Sequence, residues 1–280
     1  MYTPNTPRTP EPGAFPGVSG ISTLMNHDLT PFLDEWPYQP GQLTARIVRG
    51  LDGSEKVQVR LDLGILQLNA DGHPAGNPPP GYPSLLEYLE DQIDAGRDGA
   101  GREGESDQRR QLTPEECRQL REEAVQYYHR YLALLVLEDF DRVVRDTTRN
   151  LRVLDLCAKH AEEDDDQEVL EQFRPYIVMV RARALASRAI LDDEPRAAIV
   201  ALDDALDALQ RHFVDAGLPQ AFEQSNEVQM LRGMRDSLTP KLPVSPQAEL
   251  RERLRQAITH ENYELAAILR DELKQFPEKG

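Results

Sequence analysis

The sequence predicts a mainly α-helical protein with a small β module ahead of its helices, and three observations carry this. From Thr113 to Leu238 apolar residues recur at helical spacing, Leu and Ala dominate, and aromatic residues are only 6% of the chain. Between Gln42 and Asn69 the spacing changes to alternation, the signature of strands. After Pro240, Pro243 and Pro246 two short helical patterns flank His260-Glu261-Asn262. The predicted architecture is an array of helical hairpins, tetratricopeptide-like or a bundle, with an N-terminal β-hairpin and a C-terminal two-helix hairpin.

Taken in order, residues 1–40 read as a disordered tail rich in Pro, Thr and Gly, with Thr-Pro at 3–4, 6–7, 9–10 and 30–31. A solvated tail is the simpler reading of those Thr-Pro pairs, and a phosphorylated one the alternative. Phe32, Leu33, Trp36 and Tyr38 are expected to dock its end onto the folded part. Residues 41–95 form the β module and a short helix. Leu43, Ala45 and Ile47 alternate, Asp52-Gly53 makes the turn, and Val57, Val59, Leu61, Leu63 and Ile65 alternate in return. At Gly64 the phase slips to Leu66 and Leu68, which predicts a bulge or bend in the second strand. Ser84 starts a helix to about Ile93, with Leu85, Leu86, Tyr88 and Leu89 as its apolar side.

Residues 96–112 carry Gly, Asp, Glu and Arg without period, a linker. Gly96, Gly99, Gly101 and Gly104 raise a nucleotide loop as the alternative, but the Lys-Ser/Thr of a phosphate-binding loop is missing. The helical domain, 113–238, opens on Thr113-Pro114-Glu115-Glu116, a cap followed by a first-turn proline. Helices are predicted from there to about Leu137, then over Phe140–His160, Glu168–Leu191 and Pro195–Val214, with a fifth running from the Gly217-Leu218-Pro219 pause to Leu238. Glu138-Asp139-Phe140 and Asp193-Glu194-Pro195 begin similar apolar series 55 residues apart, an internal echo of helical hairpins. Residues 239–246 are a Pro-rich linker, and 247–276 the terminal hairpin.

Charge and composition narrow the function. The formal net charge is −17. An acidic surface repels phosphate backbones, so direct nucleic-acid binding is not expected. No apolar run reaches membrane-spanning length, no basic-then-apolar leader opens the chain, and the expected compartment is cytoplasmic. Cys117 and Cys157 lie inside helical patterns and read as buried thiols. Tyr127, Tyr128 and Tyr131 read as core with wet hydroxyls, or as the lining of a groove. Glu162 to Asp166, with Glu168, lacks the ligand spacing and glycine of a calcium loop and reads as a solvated loop. His129 and His160 have no ligand partner four residues on. The sequence therefore offers no catalytic centre, cofactor motif or metal site.

The informative stretch is SPQAELRERLRQAITHENYELAAILRDELKQF, from Ser245 to Phe276. Ser245-Pro246 starts a helix carrying Leu250, Leu254, Ala257 and Ile258 on one stripe. Asn262 starts a second with Tyr263, Ala266, Ala267, Leu269, Leu273 and Phe276, and the small Ala266-Ala267 pair lets the helices approach. About thirty residues bury too little surface to stand alone, so the hairpin must pack on its own chain, on a copy or on a partner. Leu250, Leu254, Ala257, Tyr263-Glu264, Ala266-Ala267 and Leu269-Arg270-Asp271 resemble the UVR motif, with Tyr263 where that family usually has Phe. The motif is named for the bacterial excinuclease B and C subunits, which contact each other through it. Similar motifs occur in the Clp ATPases and in the activator of a bacterial protein-arginine kinase.

The resemblance implies protein–protein contact. It assigns Leu250, Leu254, Ala257, Tyr263, Ala266, Leu269, Arg270 and Asp271 to the partner-binding face. Arg270 and Asp271 would pair across that interface, their alternative being an exposed pair of little energetic weight. The expected partner is a protein with a similar hairpin, or a second copy of the chain. A role beside the excinuclease subunits or in a Clp or arginine-kinase system is the alternative, although the cysteine zinc sites of that kinase activator are missing here.

Overall fold

A computed structural model describes residues 28–99 and 110–238, with 254–255, 258–259 and 269–270 in the C-terminal stretch. Residues 1–37 and 38–280 are two compact units. In the first, α1 (Thr30–Glu35) stands where the tail was expected to be irregular. Thr30-Pro31 is its start signal: the proline occupies the first turn, and the Asp28 carboxylate accepts from the Thr30 amide (2.9 Å) and hydroxyl (2.7 Å). The rest of the Thr-Pro tail, 1–27, lies outside the described residues.

The second unit begins with a three-stranded antiparallel sheet in the order β1 (Thr44–Arg49), β2 (Glu55–Leu61), β3 (Gly64–Asn69). This corrects the expected two-stranded hairpin. The slip at Gly64 is a chain reversal, not a bulge: Leu61 pairs with Gly64 across Asp62-Leu63, so odd positions of β2 stand opposite even positions of β3. Val57 faces Ile47 and Leu68, and Val59 faces Ala45 and Leu66, which makes one continuous apolar face from two opposite alternations. The Asp62 carboxylate accepts the Leu63 amide (2.8 Å), and the Arg60 guanidinium donates to the Leu61 and Gly64 carbonyls, which closes the reversal. The other face is polar, with Gln58 bonded to Arg46 and Gln67, each at 2.8 Å.

Helix α2 (Leu85–Gly99) buries Leu86, Leu89 and Ile93. It continues six residues past its predicted end, because that stretch has no proline and a helical glycine costs only about 1 kcal/mol. Thr113 and Glu116 close a reciprocal capping box on α3 (Pro114–Val136), and Asp139 caps α4 (Phe140–His160). Two later starts differ from expectation. Pro175 in the first turn sets α6 at Arg174–Leu191, and the acidic run before it forms α5 (Asp164–Glu168) and a short 3-10 turn. After α7 (Pro195–Asp215), Ser225 divides the expected fifth helix into α8 (Pro219–Gln224) and α9 (Asn226–Leu238): its backbone is extended, and its hydroxyl accepts the Val228 amide at 3.3 Å.

The helices stack in chain order. Helix α4 packs between α3 and α6, α7 packs on α6, and α9 lies against α6 and α7. The echo at 55 residues is present in the backbone. Glu138 and Asp193 both sit at φ 59°, and each turn closes with the same hydrogen bonds, Asp139 N to Leu134 O and Glu194 N to Ala189 O. Left-handed residues just past a helix end let the chain reverse while satisfying the last carbonyls. The sheet covers α3 through β1 and β2, and a second apolar cluster under α2 holds Leu120, Val153, Leu154 and both cysteines. Leu112, expected in a free linker, is buried and bridges to Ala161, donating to the His160 carbonyl at 2.7 Å.

Candidate functional site

Of the eight residues assigned to partner binding, three are described. Leu254 is half-buried, Leu269 is 5% exposed, and Arg270 is exposed; all three are helical. Leu250, Ala257, Tyr263, Ala266 and Asp271 lie outside the described residues. Ile258, four residues after Leu254 on the same stripe, is 53% exposed, and Thr259 beside it bonds the Arg255 carbonyl at 2.9 Å. Leu269 is thus buried and Leu254 partly so, while Ile258 presents hydrocarbon to water. Burying such a side chain is worth about 1.5–3 kcal/mol, so a covering surface would gain from it.

The helical array is held to the sheet by a buried polar junction that the sequence reading missed. Glu123, Tyr127 and Arg130 recur at i, i+4 and i+7 on α3, and Asp146, Arg149 and Asn150 at i, i+3 and i+4 on α4. These polar stripes face each other where the loop after β3 enters. Arg130, 1% exposed, grips Asp146 bidentately at 2.6 and 2.8 Å and donates to the Asn69 (3.0 Å) and Gly72 (2.7 Å) carbonyls. Glu123 accepts from His73 Nε2 (2.9 Å), the Leu85 amide (3.0 Å) and Arg149. The Arg130 and Arg149 guanidiniums lie 4.8 and 4.2 Å from the Tyr127 ring centre.

Burial and the neighbouring Arg149 and Arg130 push the His73 imidazole below its ordinary pKa. Glu123 would favour the charged ring, but Arg149 already claims that carboxylate. Burial also pulls the Arg149 guanidinium down to about 10. Outside this core Arg142 and Arg145 both hold Asp71, whose carboxyl is kept below its usual range by the Arg142 bond above all. With its charges matched and its members enclosed, the arrangement joins loop, sheet and helices. The legible signal was the presence of Glu123, Asp146 and Arg149 on the faces that the apolar period turns inward.

Two other expectations are corrected. The run from Glu162 is not a fully solvated loop: Asp166 in α5 is buried and paired with Arg121. Tyr127 and Tyr131 are core, whereas Tyr128 lies at the surface edge-on to Tyr131. On another side, α4, α6 and α7 form an open groove of about 890 Å3, lined by Val178, Leu185, Val200 and Ala201 with Arg174 and Arg181. Arg174 is neutralised by Glu171 and Asp155. No described helix is long and apolar enough to cross a membrane.

No curated protein and no solved structure matches the chain. A family model described as the UvrB/uvrC motif matches residues 246–276, the span that holds Leu254, Ile258, Leu269 and Arg270. This mainly helical chain thus carries a UvrB/uvrC motif over residues 246–276.

Proposed function

We propose that the protein is a non-enzymatic, cytoplasmic adaptor whose C-terminal hairpin binds a similar hairpin on another protein. The observation that carries this reading is the motif match over residues 246–276, joined to the open Ile258 on its first helix. Recognition is helix against helix: Leu250, Leu254 and Tyr263 supply apolar contact, and Arg270 with Asp271 sets the register, while Leu269, 5% exposed, is already covered by the chain itself. The stacked helices of residues 113–238 are the scaffold of this adaptor.

The chain's charge of −17 favours a protein partner over a phosphate backbone. Affinity capture with the full chain and with a version ending at Val244, followed by mass spectrometry, tests the proposal. A partner held by the full chain and lost from the shortened one is expected. Identical partner sets would overturn it.

A further inference from the structure

The chain has two cysteines, and the fold brings them together. Cys117 in the first turn of α3 and Cys157 near the end of α4 are both 0% exposed, belong to the same apolar cluster between two packed helices, and each thiol acts on the ionisation of the other. A small cap stands beside them: α5 packs on α4 and brings Asp166 close enough to act on both thiols. Helix α5 is fastened by the Asp166–Arg121 ion pair, and the Leu112–Ala161 bridge closes its flank.

We propose that Cys117 and Cys157 are an oxidation site, forming a disulfide between α3 and α4 on exposure to a peroxide once the α5 cap opens. One thiolate attacks the peroxide O–O bond, giving a sulfenic acid and water, or an alcohol from an organic peroxide. The second thiolate displaces the sulfenic oxygen as water, leaving the S–S bond; the sulfurs are oxidised and the peroxide is reduced. The bond needs the sulfurs to meet at about 2 Å.

The closed cap restrains the reaction. Burial raises both thiols, Cys157 to about 12, and the Asp166 carboxylate adds to the effect on each, so little thiolate exists while α5 is seated. Glu116 raises Cys117 further, while Arg121 favours the thiolate at both sites. Opening admits water and oxidant together. The site is therefore gated by the ion pair and reversed by a reducing thiol.

The test uses the full chain with hydrogen peroxide, read by intact mass and by thiol titration after denaturation. The expected product is a monomer lighter by two hydrogens that has lost both thiols together and regains them with dithiothreitol. Asp166→Asn is expected to form it several-fold faster, and dilute urea to do the same to the unaltered chain, so the answer does not depend on one variant folding. Cys157→Ser is expected to gain oxygen at Cys117 without an internal cross-link. Thiols that stay free, gain oxygen independently or join two copies would overturn the site. A cross-linking rate indifferent to both Asp166→Asn and urea would overturn the gate.

Discussion

Replacing Asp146 by alanine leaves the Arg130 guanidinium buried without its counter-charge. Arg130 is 1% and Asp146 0% exposed, so water cannot take the lost place without opening the junction. Removing one partner of such a pair costs about 3–5 kcal/mol. Arg130 keeps the Asn69 and Gly72 carbonyls and the Tyr127 ring, which places the loss in the lower half, about 3–4 kcal/mol. Against a total stability of about 5–15 kcal/mol that is a large fraction. At about 2–4 °C per kcal/mol it lowers the thermal midpoint by about 6–16 °C.

Urea unfolding of Asp146→Ala followed by circular dichroism measures this loss. The double change Arg130→Met with Asp146→Leu removes both charges and is expected to recover most of it. Because Arg130 ties the loop after β3 to α3 and α4, sheet and helices should lose stability in one transition. A single-variant loss below about 1 kcal/mol, or a double variant worse than the single, would refute the reasoning.

Three further predictions concern other parts of the fold. His73 has a folded pKa below its unfolded value, so the unfolded chain binds the extra proton; stability is held above about pH 6.5 and lost as pH falls below it. The urea midpoint should therefore drop between about pH 7.5 and about pH 5.5, and less steeply in His73→Gln. Glu138→Gly and Asp193→Gly, both at φ 59°, should each stabilise by about 0.5–1 kcal/mol, and a loss at either would break the equivalence of the two turns. Thr113→Ala removes the capping box of α3 and should cost about 1 kcal/mol in thermal or urea unfolding.

The helices were legible because their signals are local. Thr113-Pro114, Asp139-Phe140 and Glu194-Pro195 are start signals that need no tertiary context, and α3, α4 and α7 begin where they predict. The same grammar was present at Arg174-Pro175 and Ser225, but there an apolar or acidic run continued through the boundary and masked it. The third strand was hidden for a different reason. A reversal with no glycine between the paired residues leaves only a parity slip, which a bulge would also produce. The junction of His73, Glu123, Arg130, Asp146 and Arg149 was illegible as a unit because its bonded partners lie up to 50 residues apart and on different elements. Only their polarity at inward helical positions betrays them. The terminal hairpin was the reverse case, since its thirty-residue pattern is specific in sequence, and the family match falls on it.

The adaptor account rests on apolar surface left open by the motif, and among its described residues Ile258 is the exposed apolar one. The measurement that tests it most directly is the dissociation constant of the captured partner for the full chain and for Ile258→Asp, with the helical spectrum of both recorded. Losing the burial of one such side chain, about 1.5–3 kcal/mol, predicts binding weaker by at least about tenfold with the array intact. An unchanged constant would contradict the account.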